Sequence, residues 1–154
     1  MFLTAVCLLS SCGVTRQVVA DADVVRALKD KKFIMYCEYM YPAGFPMQVI
    51  DGGYYIEIKD NMVSSALPYI GSAEAIAYGG GDGYNYKEPM KSYSAKKSGD
   101  SVEINIKVKT SDDELDMRFK IYYDGDATLN IVSLHRSYIS YRGRVEPLRN
   151  EGEE

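Results

Sequence analysis

His135 is the only histidine in the chain. A Ser-His-Asp system needs just one, as the base that takes a proton from the nucleophile. No Gly-x-Ser-x-Gly elbow presents a serine, however, and "SLHRSY" (Ser133 to Tyr138) reads as a connection between strands. His135 is therefore expected to be a loop residue and not a base. The second candidate is the glycine cluster Gly79, Gly80, Gly81 and Gly83. A phosphate-binding loop needs a lysine and a hydroxyl directly after its last glycine, and here Tyr84, Asn85 and Tyr86 follow. A dinucleotide fingerprint needs a glycine opening a helix, whereas the flanking pattern is that of strands. Asp82 would also repel an anion. What remains is a long connection, either a wide turn at a rim or a lid over a mouth. Its tyrosines Tyr69, Tyr78, Tyr84 and Tyr86 are the candidate ligand contacts, each offering a ring and a hydroxyl.

Metal chemistry finds little support. One histidine, one cysteine inside an apolar run (Cys37) and scattered carboxylates give no zinc spacing. Asp112, Asp113, Glu114 and Asp116 lack the alternating ligands and distal glutamate of a calcium loop, so a solvated hairpin tip is expected. No cofactor is expected either. Arg136, Arg142 and Arg144 form the one basic concentration. Arg142 and Arg144 are two residues apart and share a strand face. They could hold a carboxylate or phosphate, or pair across the sheet with Glu103 or Asp116.

The N-terminus, "MFLTAVCLLSSCG", carries a short apolar run from Phe2 to Leu9. It is too short to span a bilayer but has the length of a signal-peptide core. Leu9-Ser10-Ser11-Cys12 resembles the bacterial lipobox, which implies cleavage before Cys12 and a lipid on its sulfur. Buried acyl chains at about 0.8 kcal/mol per CH₂ tether a protein to a membrane without a transmembrane helix. The expected layout is a signal peptide over 1–11, a tether over 12–20, one domain over 21–147 and a flexible acidic tail over 148–154. Cys7 leaves with the signal and Cys12 takes lipid, so Cys37 alone remains and no internal disulfide forms. The anchor is expected to face the periplasm.

The 154 residues carry a net charge of −4 with both signs mixed. No basic stripe of the kind that binds nucleic acid is present. Fourteen tyrosines and no tryptophan favour β structure.

The elements that must position these groups follow from periodicity. Asp21 can cap a helix in which Val24, Val25 and Leu28 recur at helical spacing, ending near Lys32. From Phe33 the period becomes two. Val102, Ile104, Ile106 and Val108 alternate with polar residues, as do Leu115 to Tyr123 and Ala127 to Ile131. Further strands are expected over Ile34–Tyr41, Met47–Ile50, Tyr54–Lys59, Met62–Leu67, Tyr84–Lys87, Ser92–Lys97 and Tyr138–Glu146. Tight polar turns such as Asp124-Gly125-Asp126 join them. Nine or ten short antiparallel strands avoid exposed edges by closing into a barrel or packing as a β-sandwich, and the barrel is favoured.

Several motifs recur in order: "MYPAG" (Met40 to Gly44) after Phe33-Ile34, "LPYIG" (Leu67 to Gly71), the Gly79–Tyr84 turn, "DGDATLNIVS" (Asp124 to Ser133) and "ISYRG" (Ile139 to Gly143). In these the chain resembles the domain of unknown function 4251 family, small exported proteins of Gram-negative gut anaerobes. Phe45 stands where that family often has a second glycine. The resemblance implies a mainly β, lipocalin-like antiparallel barrel with one N-terminal α-helix, and it implies no activity. The expected function is a lipid-anchored, non-catalytic binding module of the cell envelope. Its partners would be the membrane, through the lipid, and a small apolar, peptide or glycan ligand or another envelope protein. Two alternatives stand beside it: an enzyme or enzyme accessory acting on envelope glycan or peptide, and a structural or inhibitory protein with a filled barrel.

Overall fold

The computed structural model describes residues 19–50, 52–71 and 83–148. Helix α1 (Ala22–Asp30) starts where expected: the Asp21 carboxylate accepts the N–H groups of Asp23 at 2.8 Å and Val24 at 3.3 Å. It stops at Lys31, which turns left-handed at φ 55°, while Lys32 N–H donates back to Ala27 at 2.9 Å. Val24, Ala27 and Leu28 form its buried face.

Among the described residues nine strands follow: β1 (Phe33–Pro42), β2 (Gln48–Val49), β3 (Tyr55–Lys59), β4 (Met62–Pro68), β5 (Gly83–Ser98), β6 (Ser101–Lys109), β7 (Glu114–Tyr122), β8 (Asp126–Ser133) and β9 (Ile139–Pro147). Every pairing is antiparallel, and β1 pairs with β9 from Phe33↔Pro147 to Pro42↔Ile139. That pairing closes eight strands into a barrel, with the two-residue β2 added alongside β1. The sandwich alternative is thereby excluded. The register shifts by one residue between Cys37 and Tyr39, a bulge that brings β1 hard against Gly143. A Cβ on Gly143 would overlap the Tyr36 carbonyl oxygen, so only glycine fits there.

One expectation on strands needs correction. The sequence pattern separates Tyr84–Lys87 from Ser92–Lys97, but β5 runs unbroken through both. It pairs with β4 over Gly83–Pro89 and with β6 over Met90–Ser98, and a bulge between Met90 and Ser92 marks the change of partner. Pro89 and the bulge break the alternation without ending the strand.

Side chains fill the barrel. Met35, Ile56, Ile58, Val63, Ile104, Ile106, Met117, Ile121, Leu129, Ile131, Ile139 and Tyr141 each have 0% exposure. A void large enough for water would leave accessible surface on its lining, so none borders these residues. Phe33 and Phe119 meet edge to face at 6.1 Å within this core. Helix α1 covers the end holding the β7–β8 turn: Asp21 N–H donates to Tyr123 at 2.8 Å, and the Lys31 ammonium lies 4.4 Å over the Tyr93 ring. The opposite end, the mouth, carries residues 69–71 after β4 and the connections 110–113 and 134–138.

Candidate functional site

Polar chemistry gathers at the mouth. Tyr69 follows β4, Tyr84 opens β5, and Arg136 lies in the β8–β9 connection. The two rings meet edge to face at 5.6 Å. The Arg136 guanidinium sits 4.9 Å from the Tyr84 ring centre and 5.3 Å from that of Tyr69. Its Nη1 donates to the Gly83 carbonyl at 3.1 Å. Among the described residues no carboxylate pairs with Arg136, and the Gly83 carbonyl is the one acceptor its five N–H donors meet. The Tyr69 hydroxyl accepts the Ser137 N–H at 2.9 Å, fixing the connection above it.

Asp113 anchors the same end. Its Oδ2 accepts the Ser133 hydroxyl at 2.5 Å, and its Oδ1 accepts the N–H groups of Glu114 at 2.8 Å and Leu134 at 3.2 Å. The solvated tip expected for Asp112–Glu114 is thus wrong for Asp113, which is buried. Its charge is met by donors lying some twenty residues away in sequence. Ser133 is saturated in turn, since its oxygen also accepts the N–H groups of His135 at 3.0 Å and Arg136 at 2.8 Å. The buried Tyr84 hydroxyl lies near Ser133 and Asp113 and makes no hydrogen bond of good geometry among the described residues.

Beneath lie Tyr86 and Tyr141, whose hydroxyls donate to Met117 Sδ at 3.3 Å and the Pro68 carbonyl at 2.6 Å. Burial pushes the phenols of Tyr84, Tyr86 and Tyr141 well above their ordinary range, so all three remain neutral donors. For Tyr84 the Arg136 charge offsets part of that rise. Gly83–Glu88 and 110–113, with Leu115 and Arg136, bound a cleft of about 400 Å³.

Tyr69, Tyr84 and Tyr86 thus lie at the same end of the barrel. Tyr78, the glycines Gly79 to Gly81 and Cys12 lie outside the described residues. Arg142 and Arg144 are elsewhere, on the outer wall beside Tyr39 and Tyr41. Arg144 does pair across the sheet, but with neither expected carboxylate: β8 sets Asp126 directly opposite, and Nη1 reaches its Oδ1 at 2.7 Å. Asp116 pairs instead with Arg118 two residues along its own strand, at 3.1 Å. His135 is exposed in the β8–β9 connection. Among the described residues no group of three His, Cys, Asp or Glu could hold a metal ion, and no helix is long and apolar enough to cross a membrane. Cys37 is buried, and its thiol is pushed up to about 12, by burial first and by the neighbouring Glu38 charge second. It is a core residue, not a nucleophile.

Sequence reasoning names Arg136 only as part of the basic concentration and Asp113 only as part of a solvated tip, and marks neither as a residue of the mouth. Both are single polar residues in connections, and their partners come from other strands, so no local spacing marks them.

A search of the curated proteins finds no match. Among solved structures, the chain is similar to a DUF4251 family protein from Bacteroides eggerthii DSM 20697, solved by crystallography at 1.95 Å resolution. The TM-score is 0.62 at 12% identity, covering 81% of this chain and 85% of that one. At that identity the likeness concerns the fold. The family profile described as "Domain of unknown function (DUF4251)" matches residues 16–145. Both the motifs and the barrel agree with that match, and the chain belongs to the DUF4251 family.

Proposed function

We propose that this protein is a non-catalytic binding module of the cell envelope, tethered by lipid on Cys12, that takes its ligand at the barrel mouth. The observation that carries this reading is the contrast between a solid lumen and a mouth with uncommitted donors. The centre of the barrel, where Met35, Ile58, Ile104 and Leu129 have 0% exposure, has no room for a ligand. The cleft of about 400 Å³ at the mouth, by contrast, is lined by Asn85, Lys87, Thr110 and Arg136, the last with no carboxylate partner among the described residues. Such a wall suits a peptide or glycan better than an apolar ligand.

The one carboxylate held rigidly there, Asp113, is spent on three structural hydrogen bonds, which argues against its use as an acid or base. The filled lumen also fits a second reading, a structural or inhibitory envelope protein that acts through its outer surface.

Native mass spectrometry of protein purified from its own envelope separates the two. A retained small ligand, lost in an Arg136→Gln variant, supports the binding module. Bare protein in every preparation supports the structural reading. Incorporation of labelled fatty acid that persists in Cys12→Ser would remove the tether from either.

A further inference from the structure

The mouth-side half of β5 is an open sheet edge. β4 pairs with it from Gly83 to Pro89, whereas β6 joins only from Met90. Among the described residues, the side of Gly83–Glu88 that faces away from β4 therefore has no strand beside it. In an antiparallel pair, backbone groups point alternately toward the partner and away from it. Met90 N–H donates to Asn61, which leads into β4, at 2.9 Å, so the even-numbered residues face β4. The Gly83 carbonyl accepts from Arg136 on the other side, so the odd-numbered residues face away. Pro89 has no N–H and falls in the outward set, as an unpaired edge allows. The N–H and C=O groups of Asn85 and Lys87 consequently face the cleft between β5 and the β6–β7 turn.

Arg136 closes one end of that edge. Its guanidinium is steadied by Tyr69, Tyr84 and the Gly83 carbonyl, yet it has no carboxylate partner among the described residues. A peptide carboxylate is the acceptor that the remaining guanidinium donors of Arg136 fit. Along the rest of the cleft, Glu88 and Asp112 disfavour further negative charge.

We propose that the edge takes an extended peptide as an added strand, running antiparallel to β5, with its C-terminal carboxylate on Arg136. The inference rests on the mouth as the recognition site and names its ligand class. Gly83 to Lys87 spans about 14 Å at the strand rise, room for about four peptide residues. A glycan would engage Arg136 but leave the regularly spaced amide groups of Asn85 and Lys87 unmatched. A peptide strand pairs with both, the added-strand mode of recognition.

The test is titration of the protein with a pool of N-acetylated, sequence-randomised tetrapeptides, once with free C-terminal carboxylates and once amidated, read by amide NMR shifts. Saturable shifts at Asn85 and Lys87 are expected with the acid pool. Binding is expected to weaken roughly tenfold or more on amidation, as for loss of a charge-assisted hydrogen bond. Arg136→Gln should produce the same loss, and Lys87→Pro, which removes one edge N–H, should weaken both pools. Equal binding of acid and amide would overturn the carboxylate assignment. Unchanged binding in Lys87→Pro would overturn the added strand. If no tetrapeptide binds, the peptide inference falls, while a glycan retained at the mouth in native mass spectrometry would leave the binding module standing.

Discussion

Asp113 on the β6–β7 turn and Ser133 at the end of β8 are joined by a 2.5 Å hydrogen bond that ties two mouth connections together. The same carboxylate holds the N–H groups of Glu114 and Leu134. Asp113→Ala leaves three donors without their acceptor, and the expected loss is about 2–4 kcal/mol of unfolding free energy. Asp113→Asn keeps an acceptor oxygen and should recover part of it. Denaturant unfolding of the two variants measures both.

Gly143 faces the β1 bulge so closely that a Cβ would overlap the Tyr36 carbonyl oxygen. Backbone cannot step aside as a flexible side chain can. Gly143→Ala should cost about 2–3 kcal/mol, the scale of overpacking. Gly99, on a turn with open space around it, offers a contrast of another kind: at φ 61° its substitution would be opposed by backbone strain, not by a clash.

The open edge of β5 makes a prediction about stability that needs no ligand. Lys87 N–H faces the cleft, so Lys87→Pro should change stability by less than about 1 kcal/mol. Glu88 N–H faces the ladder with β4, so Glu88→Pro should lose about 3 kcal/mol or more. Thermal unfolding of the pair reads the difference. Equal losses would mean that the alternation of backbone groups has been assigned to the wrong side.

Cys37 makes stability fall in alkali. Its thiol ionises at about 12 in the folded chain, against an ordinary value of 9.0 when exposed. Below pH 9 both states keep the proton, and this contribution is fully present. Between about 9 and 12 the unfolded chain releases the proton while the folded chain retains it, so stability drops by about 1.4 kcal/mol per pH unit. The buried phenols of Tyr84, Tyr86 and Tyr141, also pushed up, steepen the fall above pH 10. Guanidinium unfolding at pH 8, 9 and 10 should show the decline, and Cys37→Ala should flatten it between 9 and 10.

Much of the barrel is legible in sequence because each strand has one dry face. Val102 to Val108 and Leu115 to Tyr123 alternate cleanly, and both form strands with the core residues facing inward. The helix start is legible because Asp21 acts on N–H groups only two and three residues away. β5 is misread as two strands because its two halves have different partners, and partners are not visible in a local window. Pro89 looks like a breaker, but its missing N–H points to a side where no ladder exists.

The mouth is only half legible. Tyr69, Tyr84 and Tyr86 stand out through their number beside a long connection. Arg136 becomes notable only once folding lays it over two of those rings, and Asp113 only once Ser133 and Leu134 arrive from another strand. The Arg142 and Arg144 pair has a strong local signature and stands apart from the mouth. There Arg144 is held by the carboxylate that register sets opposite it.

The most direct test is methyl and amide NMR of the protein before and after exposure to a ligand-containing extract of its own envelope. A solid lumen beneath an open mouth predicts shifts at Asn85, Lys87, Asp113 and Arg136, with the methyl groups of Met35, Ile58, Ile104 and Leu129 unmoved. Shifts centred on those core methyls, or none anywhere, would contradict recognition at the mouth.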